Sequence, residues 1–171
     1  MDGAYTEHSV KRENNVGTLV KKAGLILSIV VFLALGLLVG ATIYGRIAII
    51  VGIGMIFVTG VLWPRFNVEY EYIYCDGQFD FDKIAGGDSR KHIARVDLDG
   101  INILAPENSH ELDHYNTMTG LTVRDFSSGT PDAKRYCIFA TEGDSKLKII
   151  FEPSEKMLDM ARQKSPRKVI L

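Results

Sequence analysis

The chain has 171 residues and nearly balanced charge, 20 Lys and Arg against 21 Asp and Glu, for a net charge of -1. That balance excludes a globally basic nucleic-acid binder, and 46% hydrophobic against 24% charged residues excludes a disordered chain. Two cysteines are too few for a disulfide framework.

The apolar residues are concentrated in one place. Residues 1–22 form a polar N-terminal tail, residues 23–63 hold only Arg46 as a charge, and residues 64–171 hold 33 charges. Ala23–Tyr44 is a stretch of 22 uncharged positions, about 33 Å as a helix. Ile47–Trp63 adds 17 more, about 25 Å. The pattern predicts a two-helix transmembrane hairpin (23–44 and 47–63) with the lipid bilayer as partner. A cleaved signal peptide is the rival for the first segment, with Val39-Gly40-Ala41 as its cleavage site, but its apolar region would be only about 7–15 residues. Lys11, Arg12, Lys21 and Lys22 before the first span and Arg65 after the second outweigh Arg46 at the tip. That bias predicts a multi-pass protein of the cell membrane with both termini cytoplasmic. Tyr44 and Trp63 fall at span ends, where amphipathic rings favour the membrane interface. Gly36-Leu-Leu-Val-Gly40 is a GxxxG pattern, read either as a dimer contact or, favoured by the tight hairpin, as packing of the first helix against the second. Neither span holds Asp, Glu, Lys or His, so no ion or proton pathway is indicated.

Residues 65–171 read as one small domain, β-rich first and helical last. Val68–Cys75 alternates strictly, Asp76-Gly77 is a type I′ turn signal, and Gln78–Ile84 continues the alternation. Pairing about that turn sets Phe79 opposite Tyr74 and Phe81 opposite Tyr72, giving an aromatic core face and a solvated face of Glu69, Glu71, Asp80 and Asp82. Further strands are expected over His92–Leu98, Ile101–Leu104, Leu121–Asp125, Arg135–Thr141 and Lys146–Phe151. A short helix is expected within Pro106–Thr117, and a final helix over Glu155–Lys164 with Ser154 as N-cap. Six or seven antiparallel strands closed by one C-terminal α-helix make the layout of a pleckstrin-homology (PH) barrel.

The apolar hairpin followed by VEYEYIYCDGQFDFDKI, RKHIARVDLDGINILAP and the terminal IIFEPSEKMLDMARQKSPRKV resembles two-helix membrane proteins of Gram-positive anaerobes (Clostridia) with a cytoplasmic bacterial PH-like domain. The resemblance implies the fold, a membrane hairpin bearing a PH-like barrel capped by a C-terminal helix. It carries no activity over to this chain.

Two chemistries compete with a plain binding module. A phosphoinositide site would need cations around the first hairpin loop, which instead holds Asp76 and Gln78. The second loop supplies Arg90 and Lys91, with Arg95 following in the strand, as weak ligand-binding candidates. His110-Glu111-Leu112-Asp113-His114 is an H-E-x-x-H motif, which on a helix would offer His110 and His114 to zinc with Glu111 as general base. Glu155 or Asp159 would have to supply a third ligand. Against a metallopeptidase stand the charge at Asp113, the short helix and the β-rich surroundings. Asp97–Gly100 lacks the ligands of a calcium loop, Gly86-Gly87 lacks a phosphate-loop Lys, and Ser127-Ser128 lacks a nucleophile elbow. The expectation is a membrane-anchored binding or scaffolding module, not an enzyme, without a cofactor or small-molecule substrate. Its partner is a protein or peptide, or another copy of itself.

Overall fold

The computed structural model describes residues 5–87, 89–142 and 145–171. The chain divides into two compact units, one helical and built on Asn14–Val68, the other built on the strands before and after it.

In the helical unit, Asn15 opens α1 (Val16–Val39) by accepting from the Thr18 amide at 2.9 Å. Gly40 ends the helix with φ +64, a conformation that other residues adopt at a cost. Thr42 opens α2 (Ile43–Leu62) by accepting from the Gly45 amide at 3.3 Å. Pro64, which has no N–H, turns the end of α2 into a 3-10 turn over Pro64–Phe66. The helices meet through glycines: a Cβ on Gly36 would collide with the Ile49 side chain, and one on Gly52 would lie 2.8 Å from Leu33 Cδ2. Most other side chains, including Leu37, Leu38, Ile50 and Phe57, are exposed. Both helices are long and apolar enough to cross a membrane.

The helix limits differ from the expected 23–44 and 47–63, because an uncharged run reports hydropathy whereas caps set where a helix starts and stops. Asn15 starts α1 seven residues early, and the tip is Gly40-Ala41-Thr42. Tyr44 and Arg46 therefore lie in the first turn of α2 and not at the tip.

The second unit holds two four-stranded sheets. The first, in the order β1-β2-β3-β4, comprises β1 (Tyr5–Lys11), β2 (Val68–Cys75), β3 (Gln78–Ala85) and β4 (Ser89–Asp97). The β2–β3 turn forms as expected, with positive φ at Asp76 (46°) and Gly77 (91°). Tyr72, Tyr74, Phe79 and Phe81 are almost wholly buried, and ring centroids of 4.8 Å (Tyr74–Phe79) and 5.7 Å (Tyr72–Phe81) bear out the expected facing pairs.

Residues 5–11, expected to be part of a polar tail, form the edge strand β1. It pairs antiparallel with β2 in a register that runs from Tyr5↔Cys75 to Lys11↔Glu69. Thr6, His8 and Val10 turn inward, and the Arg12 guanidinium donates to the Tyr70 hydroxyl at 2.7 Å.

The second sheet has the order β5-β7-β8-β6, built from β5 (Ile101–Pro106), β6 (Leu121–Asp125), β7 (Tyr136–Glu142) and β8 (Ser145–Phe151). β6 runs parallel to β8, so the strands are not all antiparallel as expected; a parallel neighbour cannot come from a hairpin, and here the chain crosses over first. Among the described residues no strand pairing joins the two sheets, so the expected barrel is not closed.

Between β5 and β6 the expected helix shrinks to a 3-10 turn, His110–Leu112, and one helical turn, α3 (Asp113–Asn116). The last helix, α4 (Glu155–Lys164), forms where expected, with Ser154 accepting from the Met157 amide and with Met157, Leu158 and Ala161 buried. Beyond it the chain turns back. Leu104 of β5 donates to the Lys168 carbonyl and accepts from the Ile170 amide, both at 2.8 Å, and Val169 is buried between them.

Candidate functional site

The outer face of the first sheet carries the cations singled out as ligand candidates. Alternation along β2 and β3 sends the aromatics inward and so turns Glu71, Asp80 and Asp82 outward. Arg95 meets Asp80 with two hydrogen bonds, Nε to Oδ1 at 2.5 Å and a terminal nitrogen to Oδ2 at 3.1 Å. The bond from Asp80 pushes the Arg95 pKa further up. Arg90 pairs with both Glu71 and Asp82, the latter at 3.1 Å, and His92 Nδ1 lies 2.9 Å from Asp82 Oδ1. His92 and Arg95 are three residues apart yet meet Asp82 and Asp80, which are two apart. Strict alternation along β4 is thus interrupted between His92 and Arg95, which share this face.

This arrangement changes the reading of the sheet face. Arg90 and Arg95 already hold carboxylates, so a phosphate would have to displace those partners. Lys91 is exposed and, among the described residues, is in no ion pair. The three residues do not converge on a pocket. The acidic face, expected to be simply solvated, is an interlocked set of opposite charges with Glu71 and Asp82 mostly covered.

At the β2–β3 turn the structure forms an open cavity of about 600 Å³ whose lining includes Asp76, Gln78, Asp97, Asp99 and Lys164. Gln78 donates to Asp97 at 2.6 Å, Lys164 pairs with Asp76, and Lys168 donates to the Asp99 carbonyl at 2.7 Å. Lys164 and Lys168 are not among the candidates singled out from the sequence. Three carboxylates against Lys164 give the cavity lining a negative balance.

The H-E-x-x-H motif is not on one helix. His110 belongs to the 3-10 turn, His114 to α3, and the His110 side chain is fully exposed, with Nδ1 3.5 Å from Asp113. Leu112 is the buried member of the segment and anchors it to Ile103, Cys137 and Phe139. Among the described residues no three His, Cys, Asp or Glu side chains are placed to hold a metal ion, so the zinc reading of His110, Glu111 and His114 gains no support.

The helical unit sorts the remaining candidates. Gly36 serves the contact of α1 with α2, whereas Gly40 is the turn residue and has open space where its Cβ would be. The GxxxG pair therefore divides into one packing glycine and one cap. Trp63 caps the end of α2, and Lys22 Nζ lies 5.3 Å from its ring centroid and 5.9 Å from that of Phe66. Cys75 is exposed, while Cys137 is buried and its thiol is pushed up to about 11 by desolvation, which keeps it inert.

Among known families, the model described as Bacterial PH-like domain (DUF6106) matches residues 2–171. No curated protein and no solved structure matches the chain.

Proposed function

Because the chain belongs to this family of bacterial PH-like domains, we propose that it is a membrane-anchored binding or scaffolding module without catalytic activity of its own. The observation that carries the reading is the placement of two long, outwardly apolar helices between strands β1 and β2, which pair with each other. Such helices need a hydrocarbon environment for their exposed side chains, and the paired strands keep both flanks of the helix pair on one side of it. The basic flanks make that side the cytoplasmic one. The partner is a protein or peptide, or another copy of this chain. The matched charges on the first sheet and the acidic cavity at the β2–β3 turn both disfavour phosphate ligands.

The test is carbonate extraction of membranes from cells making the full chain, followed by labelling of Cys75 with an impermeant thiol reagent in intact cells. The protein should stay in the membrane pellet, and Cys75 should react only after permeabilisation. Release by carbonate would remove the anchor, and labelling from outside would reverse the orientation.

A further inference from the structure

We propose that one end of the helical unit, formed by Lys21, Lys22 and Arg65 around Trp63, is a contact surface for anionic lipid headgroups. The proposal rests on the membrane-anchored reading and adds to it a lipid preference. Residues 14–68 contain four cations (Lys21, Lys22, Arg46 and Arg65) and no Asp or Glu. Three of them sit where α1 begins and α2 ends, and only Arg46 lies at the opposite end.

Elsewhere in the chain, Arg90, Arg95, Arg135 and Lys164 are in ion pairs, whereas other cations, Lys91 among them, are in none among the described residues. Among the described residues Lys21, Lys22 and Arg65 are in none, and α1 has no acidic residue in its first turn. Within residues 14–68 there is thus no carboxylate to cancel the positive charge at this end.

Lys22 is also held in position. Its ammonium donates to Asn14 Oδ1 at 2.9 Å and lies over the Trp63 and Phe66 rings. Aromatic rings beside a lysine whose stem runs along apolar surface are the arrangement that seats at headgroup depth. Lys21, beside Lys22 in the chain, and Arg65, two residues after Trp63, are both exposed. Each cation near an anionic bilayer surface favours it by about fivefold in association, a preference that salt screens.

Trp63 is the only tryptophan in the chain, so its fluorescence reports on the lipids at this site alone. The full-length protein is reconstituted into bilayers containing equal fractions of brominated phosphatidylglycerol or brominated phosphatidylcholine, and quenching of Trp63 is compared. Brominated phosphatidylglycerol should quench with about fivefold or greater selectivity at low salt. The selectivity should collapse towards one in 1 M salt and should fall severalfold in the Lys21→Gln/Arg65→Gln variant, which leaves Lys22 and its Trp63 contact in place. Equal quenching by the two lipids would overturn the lipid preference and leave the anchor standing. No quenching by either lipid would overturn both, because Trp63 would not be at a membrane.

Discussion

The Tyr72 hydroxyl, on a wholly buried side chain of β2, donates to the Phe126 carbonyl at 2.6 Å, joining the first sheet to the loop that follows β6. Phe126 in turn packs its ring against Phe81 and Tyr70. A polar and an apolar tie between the first sheet and this loop thus meet at Phe126.

Tyr72→Phe keeps the ring and strands the Phe126 carbonyl, so it should cost about 1–3 kcal/mol. Tyr72→Ala adds a cavity among Phe81 and Phe151 and should cost about 3–5 kcal/mol. Denaturant unfolding of the full chain in detergent separates the two, and equal losses would mean that the hydroxyl bond contributes nothing.

Charge removal on the outer face should now be mildly harmful. From the sequence alone, Glu71 and Asp82 look like repelling neighbours whose loss brings relief. In the structure Asp82 holds Arg90 and His92, so Asp82→Ala should destabilise by about 0.5–1 kcal/mol, with the loss shrinking in 1 M salt. A gain in stability would mean that these pairs do not form in solution.

The two cysteines should behave oppositely. Alkylation at pH 8 should modify Cys75 quickly and leave Cys137 intact until the chain unfolds. The folded state holds the Cys137 proton up to about pH 11, whereas the unfolded chain releases it near 9.0. Its contribution to stability is therefore complete below pH 9 and is lost as pH rises towards 11, by at most about 1.4 kcal/mol per unit. Unfolding curves of Cys137→Ala should lack that increment.

The H-E-x-x-H segment offers a contrast within five residues. His110→Ala and His114→Ala should each change stability by no more than about 0.5 kcal/mol, and a chelator should have no effect. Leu112→Ala, at a position with no exposure, should cost about 2–5 kcal/mol. One tightly bound zinc per chain, lost with His114→Ala, would restore the metallopeptidase reading.

Legibility in the sequence followed the range of the interactions. The β2–β3 hairpin and α4 were legible because their signals are local: strict alternation, an Asp-Gly turn, a Ser N-cap three residues before the amide it accepts from. β1 was hidden because its partner lies beyond both helices and because Glu7, Ser9 and Lys11 read as tail residues. The pairing of Arg90 and Arg95 was hidden for a different reason. It depends on a β3–β4 alignment that no pattern within either strand reveals. Lys164 at the end of α4 and Lys168 beyond it carry no local signal, and only folding brings the first to Asp76 of the β2–β3 turn and the second to the Asp99 carbonyl.

The pairing of β1 with β2 also sets an order of events. The chain completes β1 before either helix and β2 only after both, so the ladder from Tyr5↔Cys75 to Lys11↔Glu69 can close only once both helices have been made. If both helices insert, or neither does, the two strands find each other. After a single crossing they are separated by the bilayer, and β2 is left with an open edge that invites misassociation. On the membrane-anchored reading proposed above, the finished ladder would be a parity check on insertion, separating correctly threaded copies from half-threaded ones.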